Sequence, residues 1–114
     1  MRNEISERIS PAMIKYLLGK ELRERLKKAE DDYIHAVEIE DEEYIKNHKF
    51  NSKIMIAEGL GKECHLSSTT LLSYESYAGA IEKVRAKNEK LAQQVLAGDT
   101  SMTYRDLMNV LDAL

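Results

Sequence analysis

From Ser10 onward, apolar residues recur at steps of three and four. That spacing, rather than alternation by two, limits what the chain can form. Ile14, Leu18, Leu22, Leu26, Ala29, Tyr33 and Val37 make one stripe, as in a helix that buries a single face. Ser10 precedes Pro11; serine caps a helix, and proline suits the first helical position because that N–H has no helical partner. A long amphipathic helix is therefore predicted to begin here. Glu21 with Arg25 and Glu24 with Lys28 stand four apart. Each such pair is worth only a few tenths of a kcal/mol, so burial of the stripe must supply the rest. The stripe is narrow, which leaves two readings open: an ordinary core helix, or a dimer helix seamed by Ile14, Leu18, Leu22 and Leu26.

The remainder repeats the pattern in shorter pieces. Asn51 or Ser52 is a cap candidate for a helix from Lys53 to about Leu60, with Ile54, Ala57 and Leu60 inward. Gly59 and Gly61 weaken that helix and are expected to end it. Ser67 caps the next, whose buried face would be Leu71, Tyr74, Ala78, Ile81 and Val84. A break is expected near Lys87-Asn88, because an asparagine side chain competes for backbone groups. Leu91, Val95 and Leu96 continue on a short helix that Gly98 stops. Thr103 caps a last helix with Tyr104, Leu107, Leu111 and Leu114 on one face. Only residues 38–49 resist this reading: five acids in six residues discourage a strand, leaving a helix end, an acidic turn and a short helix through Tyr44 and Ile45. No Asn-Gly or Asp-Gly hairpin signal occurs. The expected fold is all-α, with five or six helices in a single domain. Residues 1–48 would form the N-terminal helix and acidic segment, and 49–114 the core.

Composition narrows the function classes. With 114 residues, no Trp and one Phe, the core must be thin, so help from a second copy is expected, as a homodimer. The single Cys64 cannot form an internal disulfide, which fits a reducing compartment. MRNEISERIS lacks the apolar stretch of a signal peptide, and no apolar run approaches the ~20 residues of a membrane helix. A cytoplasmic protein without membrane contact is expected. The net charge is −3, so the overall field does not favour nucleic acid. Its distribution is uneven: residues 1–30 hold eight Lys/Arg against five Asp/Glu, whereas 31–48 hold seven Asp/Glu and only Lys46.

None of the residue sets that carry bond-making chemistry is spaced for it. Cys64 and His65 are adjacent, with His35 and His48 upstream, but their spacing does not match a tetrahedral zinc set. Neighbouring residues rarely aim at each other as a nucleophile pair. GLGKE lacks the spacing and the Ser/Thr of a phosphate loop, and the acidic run lacks the spacing and central glycine of a calcium loop. Tyr74 and Tyr77 can stack on bases, yet at helical spacing beside Ala78 and Ile81 they suit a core. No catalytic residue, metal ligand or cofactor is expected.

Three segments carry a resemblance: IAEGLG, with Ile56, Ala57, Leu60 and Gly61; LSSTTLLSYESYAGAIEKV; and VLAGDTSMTYRDLMNVL, where a Leu-x-Gly stop precedes a Thr/Ser-x-x-Asp-Leu/Val helix start. Together the stretch Ile54 to Leu111 resembles a helix-turn-helix module of plasmid- and phage-borne proteins, including the helical part of partition-type proteins. The resemblance implies a second helix that enters the DNA major groove and meets base edges with its first residues. Those would be Ser67, Ser68, Thr69, Thr70 and Ser73, with Lys83 on phosphate. Hydroxyls discriminate bases weakly, and no Lys or Arg lies between Lys62 and Lys83 to supply the usual bidentate contact to guanine. Lys62, Glu63, Cys64 and His65 also intervene between Leu60-Gly61 and the cap Ser67, which is expected to lengthen the turn and change the helix angle.

Two function classes follow. The first is a small non-enzymatic regulator of mobile-element type that binds another protein. Its acidic segment, Glu38, Glu40, Asp41, Glu42 and Glu43, would meet a basic surface, for example a nucleic-acid groove that it blocks as phage anti-CRISPR inhibitors do. The alternative is a helix-turn-helix DNA-binding regulator of transcription, replication or partition, held on double-stranded DNA as a dimer.

Overall fold

Ser10 shows how literally the local signals are used. Its Oγ accepts the N–H of Met13 at 3.0 Å, and its carbonyl accepts that of Ile14 at 3.1 Å, which caps a helix whose first residue is Pro11. The same Oγ donates to the carbonyl of Leu96 at 2.5 Å, satisfying an orphan acceptor at the end of another helix. The computed structural model describes residues 9–48, without the side chain of His48, and 53–113. Among these residues there are six helices and no strand: α1 Pro11–Glu38, α2 Glu42–His48, α3 Lys53–Cys64, α4 Ser68–Lys87, α5 Glu89–Ala97 and α6 Tyr104–Ala113. The all-α expectation therefore holds. The cap candidates Asn51 and Ser52, and the inward-facing Leu114, lie outside the described residues.

The predicted boundaries hold where a side chain or a glycine closes a helix. Asn88 breaks the α4–α5 run and accepts the N–H of Leu91 on its side chain at 3.1 Å. Gly98 ends α5 with φ 88; the N–H groups of Gly98 and Asp99 reach the carbonyls of Val95 and Gln94 at 3.1 and 3.0 Å, a Schellman closure. Thr103 Oγ1 accepts the N–H of Asp106 at 3.1 Å, while Asp106 accepts that of Thr103 at 3.0 Å. This is a reciprocal capping box with Asp in place of the usual Glu.

The chain divides into two compact units, each drawing on both sides of the 48/49 boundary. One comprises the chain to Lys20 with Ser73–Leu114; the other comprises Glu21–Leu72. The first unit has a continuous core of Tyr16, Tyr77, Ala78, Ile81, Val84, Val95, Leu96 and Leu107, flanked by partly buried Met13, Met102 and Met108. Burying a Leu, Ile or Val side chain contributes about 1.5–3 kcal/mol, and Ile81, Val84 and Leu107 are wholly removed from solvent. Gly19 sets the depth of this packing. A Cβ there would collide with the carbonyl of Tyr74, so only glycine allows the two backbones to meet. In the second unit Leu22, Ala36, Ala57, Leu60 and Leu71 are buried.

The inward face of α1 departs from the predicted stripe at both ends. Leu22 is buried, with Leu26, Ala29 and Tyr33 half-buried, as the spacing implies. Ile14 and Val37, however, are exposed, and Tyr16, Gly19 and Ala36 are buried in the positions expected of them. At Gly19 the cause is steric: the Tyr74 backbone comes too close for a side chain, so the face carrying Tyr16 and Gly19 turns inward although neighbouring residues are more hydrophobic. Tyr104, expected inward on α6, is also exposed.

Candidate functional site

The turn between α3 and α4 is where the sequence-based expectation of a helix-turn-helix places the start of its second helix. Gly59 and Gly61 do not end α3, which continues through Cys64. His65 closes it instead, in the left-handed region at φ 59, while the N–H of Leu66 reaches back to the carbonyl of Gly61 at 3.1 Å. A Cβ on Gly61 would strike the Leu66 carbonyl oxygen. Gly61 is thus required by the fold-back of the turn and is not a helix stop. The expected lengthening of the turn does not occur: Lys62, Glu63 and Cys64 are absorbed into α3, and only His65, Leu66 and Ser67 separate the helices. Half-buried Cys64 donates its thiol hydrogen to the Leu60 carbonyl at 3.3 Å.

Ser67 caps α4 as expected, accepting the N–H of Thr70 at 3.1 Å and donating to Thr70 Oγ1 at 2.9 Å. Two of the candidate DNA-contacting hydroxyls are therefore engaged with each other. Thr69 and Ser73 are exposed, Ser68 is half-buried, and Lys83 is exposed. Ser67 to Thr70 belong to one compact unit, and Ser73 and Lys83 to the other. An open depression of about 420 Å³ lies at the turn, lined by Glu58, Lys62, His65, Ser67 and Ser68 among others. It offers one carboxylate and one ammonium group side by side, a mixed lining that selects neither anions nor cations.

The acidic candidates all lie at the α1–α2 corner, and all five are exposed. Much of their pattern is local structure. Glu40 is left-handed at φ 55, and the N–H groups of Glu40 and Asp41 close α1 on the carbonyls of Val37 and Ala36 at 3.2 and 2.9 Å. Asp41 then caps α2 by accepting the N–H of Tyr44 at 3.1 Å. Glu42 and Glu43 occupy the first turn of α2, where the helix dipole favours negative charge. Glu38 lies in the last turn of α1, and Glu40 takes part in the corner through its backbone.

The four dimer-helix candidates do not form one free seam. Leu22 is fully buried within the chain, Leu18 and Leu26 are half-buried, and only Ile14 is exposed.

Two polar clusters were not anticipated. Arg25 grips Glu63 with both terminal nitrogens, at 2.7 and 2.9 Å, and holds Glu21 through Nε at 2.9 Å. Hydrogen bonds to Glu63 first and Glu21 second drive the Arg25 pKa further up, and the same bond to Arg25 lowers that of Glu63. In the other unit, the Tyr16 hydroxyl donates to Glu82 at 2.6 Å and accepts from Arg85 at 3.2 Å, whose guanidinium stands 5.5 Å from the ring centre. Burial, then the bond to Glu82, raises the Tyr16 pKa. The Glu21–Arg25 spacing was visible; the contacts with Glu63 and Glu82 join residues far apart in sequence. Among the described residues, no group of three or more His, Cys, Asp or Glu is placed to hold a metal ion, and no helix is long and apolar enough to cross a membrane.

The chain matches no protein-family model, no curated protein and no solved structure.

Proposed function

We propose that this chain is a non-enzymatic regulator that acts by binding another protein, with the acidic corner between α1 and α2 as its contact for a basic surface. One observation carries the reading: five carboxylates within residues 38–43 are all exposed, and among the described residues Asp41 alone of them holds a backbone N–H with its side chain. Such a patch attracts and orients a cationic partner and repels DNA. Mobile-element origin follows from the resemblance alone. Within that reading, occupying the nucleic-acid groove of a host protein is the form of inhibition that the charge suits. The test is double reversal, Glu38→Lys and Glu40→Lys, with Asp41 retained because it caps α2 and Glu42 and Glu43 because they occupy its first turn. The complex with a captured basic partner is expected to be lost while the melting temperature is held. Undiminished binding by the reversed chain would sink the reading.

A DNA-binding regulator is the second reading, favoured by the three-residue turn His65-Leu66-Ser67 and the capped start of α4. Ser68, Thr69 and Ser73 would face the groove, and Lys62 and Lys83 the phosphates. Affinity for duplex DNA should then fall steeply with salt and drop on Lys83→Ala. No duplex bound even at low salt ends this alternative.

A further inference from the structure

Thioethers rim the core of the first unit. Met13, Met102 and Met108 pack against the cluster built around Ile81, Val84, Val95 and Leu107, and each is half-buried. Half-burial couples two properties. A wholly buried sulfur is screened from an oxidant, and a largely exposed one, as in Met55 at 53% exposure, is oxidised at little cost to packing. A half-buried methionine is within reach of an oxidant while it still fills the rim of the core. Two of the three hold α6 in place. That helix, with the residue two before it, meets the core through wholly buried Leu107 and half-buried Met102, Met108 and Leu111. Arg105, Asp106, Asn109 and Asp112 are exposed. α6 has ten residues, a length that is marginal in water without packing. The capping box of Thr103 and Asp106 secures its first turn; the rest depends on the core.

We propose that oxidation of Met102 and Met108 to their sulfoxides releases α6 from the core, which makes this helix a redox-sensitive switch. The oxidant is a peroxide. The thioether sulfur gives an electron pair to one peroxide oxygen; an S–O bond forms, the O–O bond breaks, and with hydrogen peroxide water leaves. The product is polar, and the cluster it would pack against is made of apolar side chains. An unpaired acceptor buried there costs free energy, which a short helix avoids by lifting off. Reduction by a dithiol through sulfoxide reductases returns the thioether with a disulfide and water, and α6 docks again. The inference needs no partner protein and stands apart from the reading of the acidic corner.

The test uses the full chain with Cys64→Ser, which removes the competing thiol. Hydrogen peroxide is added until peptide mass spectrometry finds sulfoxide at Met102 and Met108. Amide hydrogen exchange at Leu107 to Val110 is expected to quicken about tenfold or more, and that at Ile81 to Val84 on α4 to change less than about twofold. The two epimer-specific sulfoxide reductases with dithiothreitol are expected to restore the original rates. The double variant Met102→Leu, Met108→Leu keeps the volume of the rim and retains Met13; peroxide should leave its exchange unchanged. Unaltered exchange in a chain carrying both sulfoxides overturns the proposal. So does equal acceleration in the double variant, which would pass the effect to Met13, or equal loss of protection on α4, which would mean general unfolding. Met102 and Met108 still reduced when Met55 is fully oxidised would show them out of reach and overturn it as well. Protection that the reductases fail to restore would make the oxidation damage and not a switch.

Discussion

At the scale of single residues, the two glycines of α3 are chemically identical and structurally opposite. Gly59 is exposed inside the helix, with nothing near the position of a Cβ. Gly61, two residues on, is buried against the Leu66 carbonyl. Gly59→Ala should therefore stabilise the chain by about 0.5–1 kcal/mol, the helix-propensity difference. Gly61→Ala should destabilise it by about 1–3 kcal/mol through overpacking at the turn. Urea midpoints of the two variants check the pair, and equal signs would refute the account of the turn. The sequence shows two glycines near a helix end and implies that both weaken it. It does not show which one a carbonyl will approach, because Leu66 comes back onto Gly61 only after His65 turns left-handed.

At the scale of elements, helix termini were legible and long-range polar contacts were not. As caps, Ser10, Ser67, Asn88, Gly98 and Thr103 act within three or four residues of themselves, so their types state those roles; the bond from Ser10 to the Leu96 carbonyl is long-range and was not legible. The Arg25 clamp joins α1 to α3 across 38 positions, and no local rule reports it. It also gives the chain a pH dependence with a definite sign. Glu63 and Asp106 titrate below their ordinary values of 4.5 and 3.8, Glu63 chiefly through Arg25 and Asp106 chiefly through the N–H of Thr103. A lowered carboxylate pKa contributes stability that is present above the unfolded value and is lost as pH falls through the folded one. Denaturant midpoints should therefore decline as pH drops from about 5, and Glu63→Gln should flatten part of that decline. An identical pH profile for the variant would show that the clamp adds nothing in solution.

At the scale of the whole molecule, net charge matters less than where the charge sits. The chain carries −3 overall, but five carboxylates are concentrated at one exposed corner. Capture of a cationic partner by that corner should weaken as added salt shortens the screening length below about 8 Å. A titration of the complex with salt measures this; affinity indifferent to salt would contradict an electrostatic contact at the corner. The same charge distribution explains why the helix-turn-helix resemblance does not by itself imply DNA binding. The turn geometry can be kept by Gly61, His65 and Ser67 alone, whereas duplex affinity needs cations that residues 63–82 do not contain.

The sequence by itself determined the helices, most of their ends and the segregation of charge, because caps, periodicity and composition act over a few residues. Only the tertiary structure decided which face of α1 is inward, which glycine is indispensable, and that Leu22 is core while Val37 and Ile54 are exposed. Those outcomes depend on how closely two backbones can approach, as at Gly19 against Tyr74. That distance is set jointly by residues more than fifty positions apart in the chain, and so no local pattern contains it.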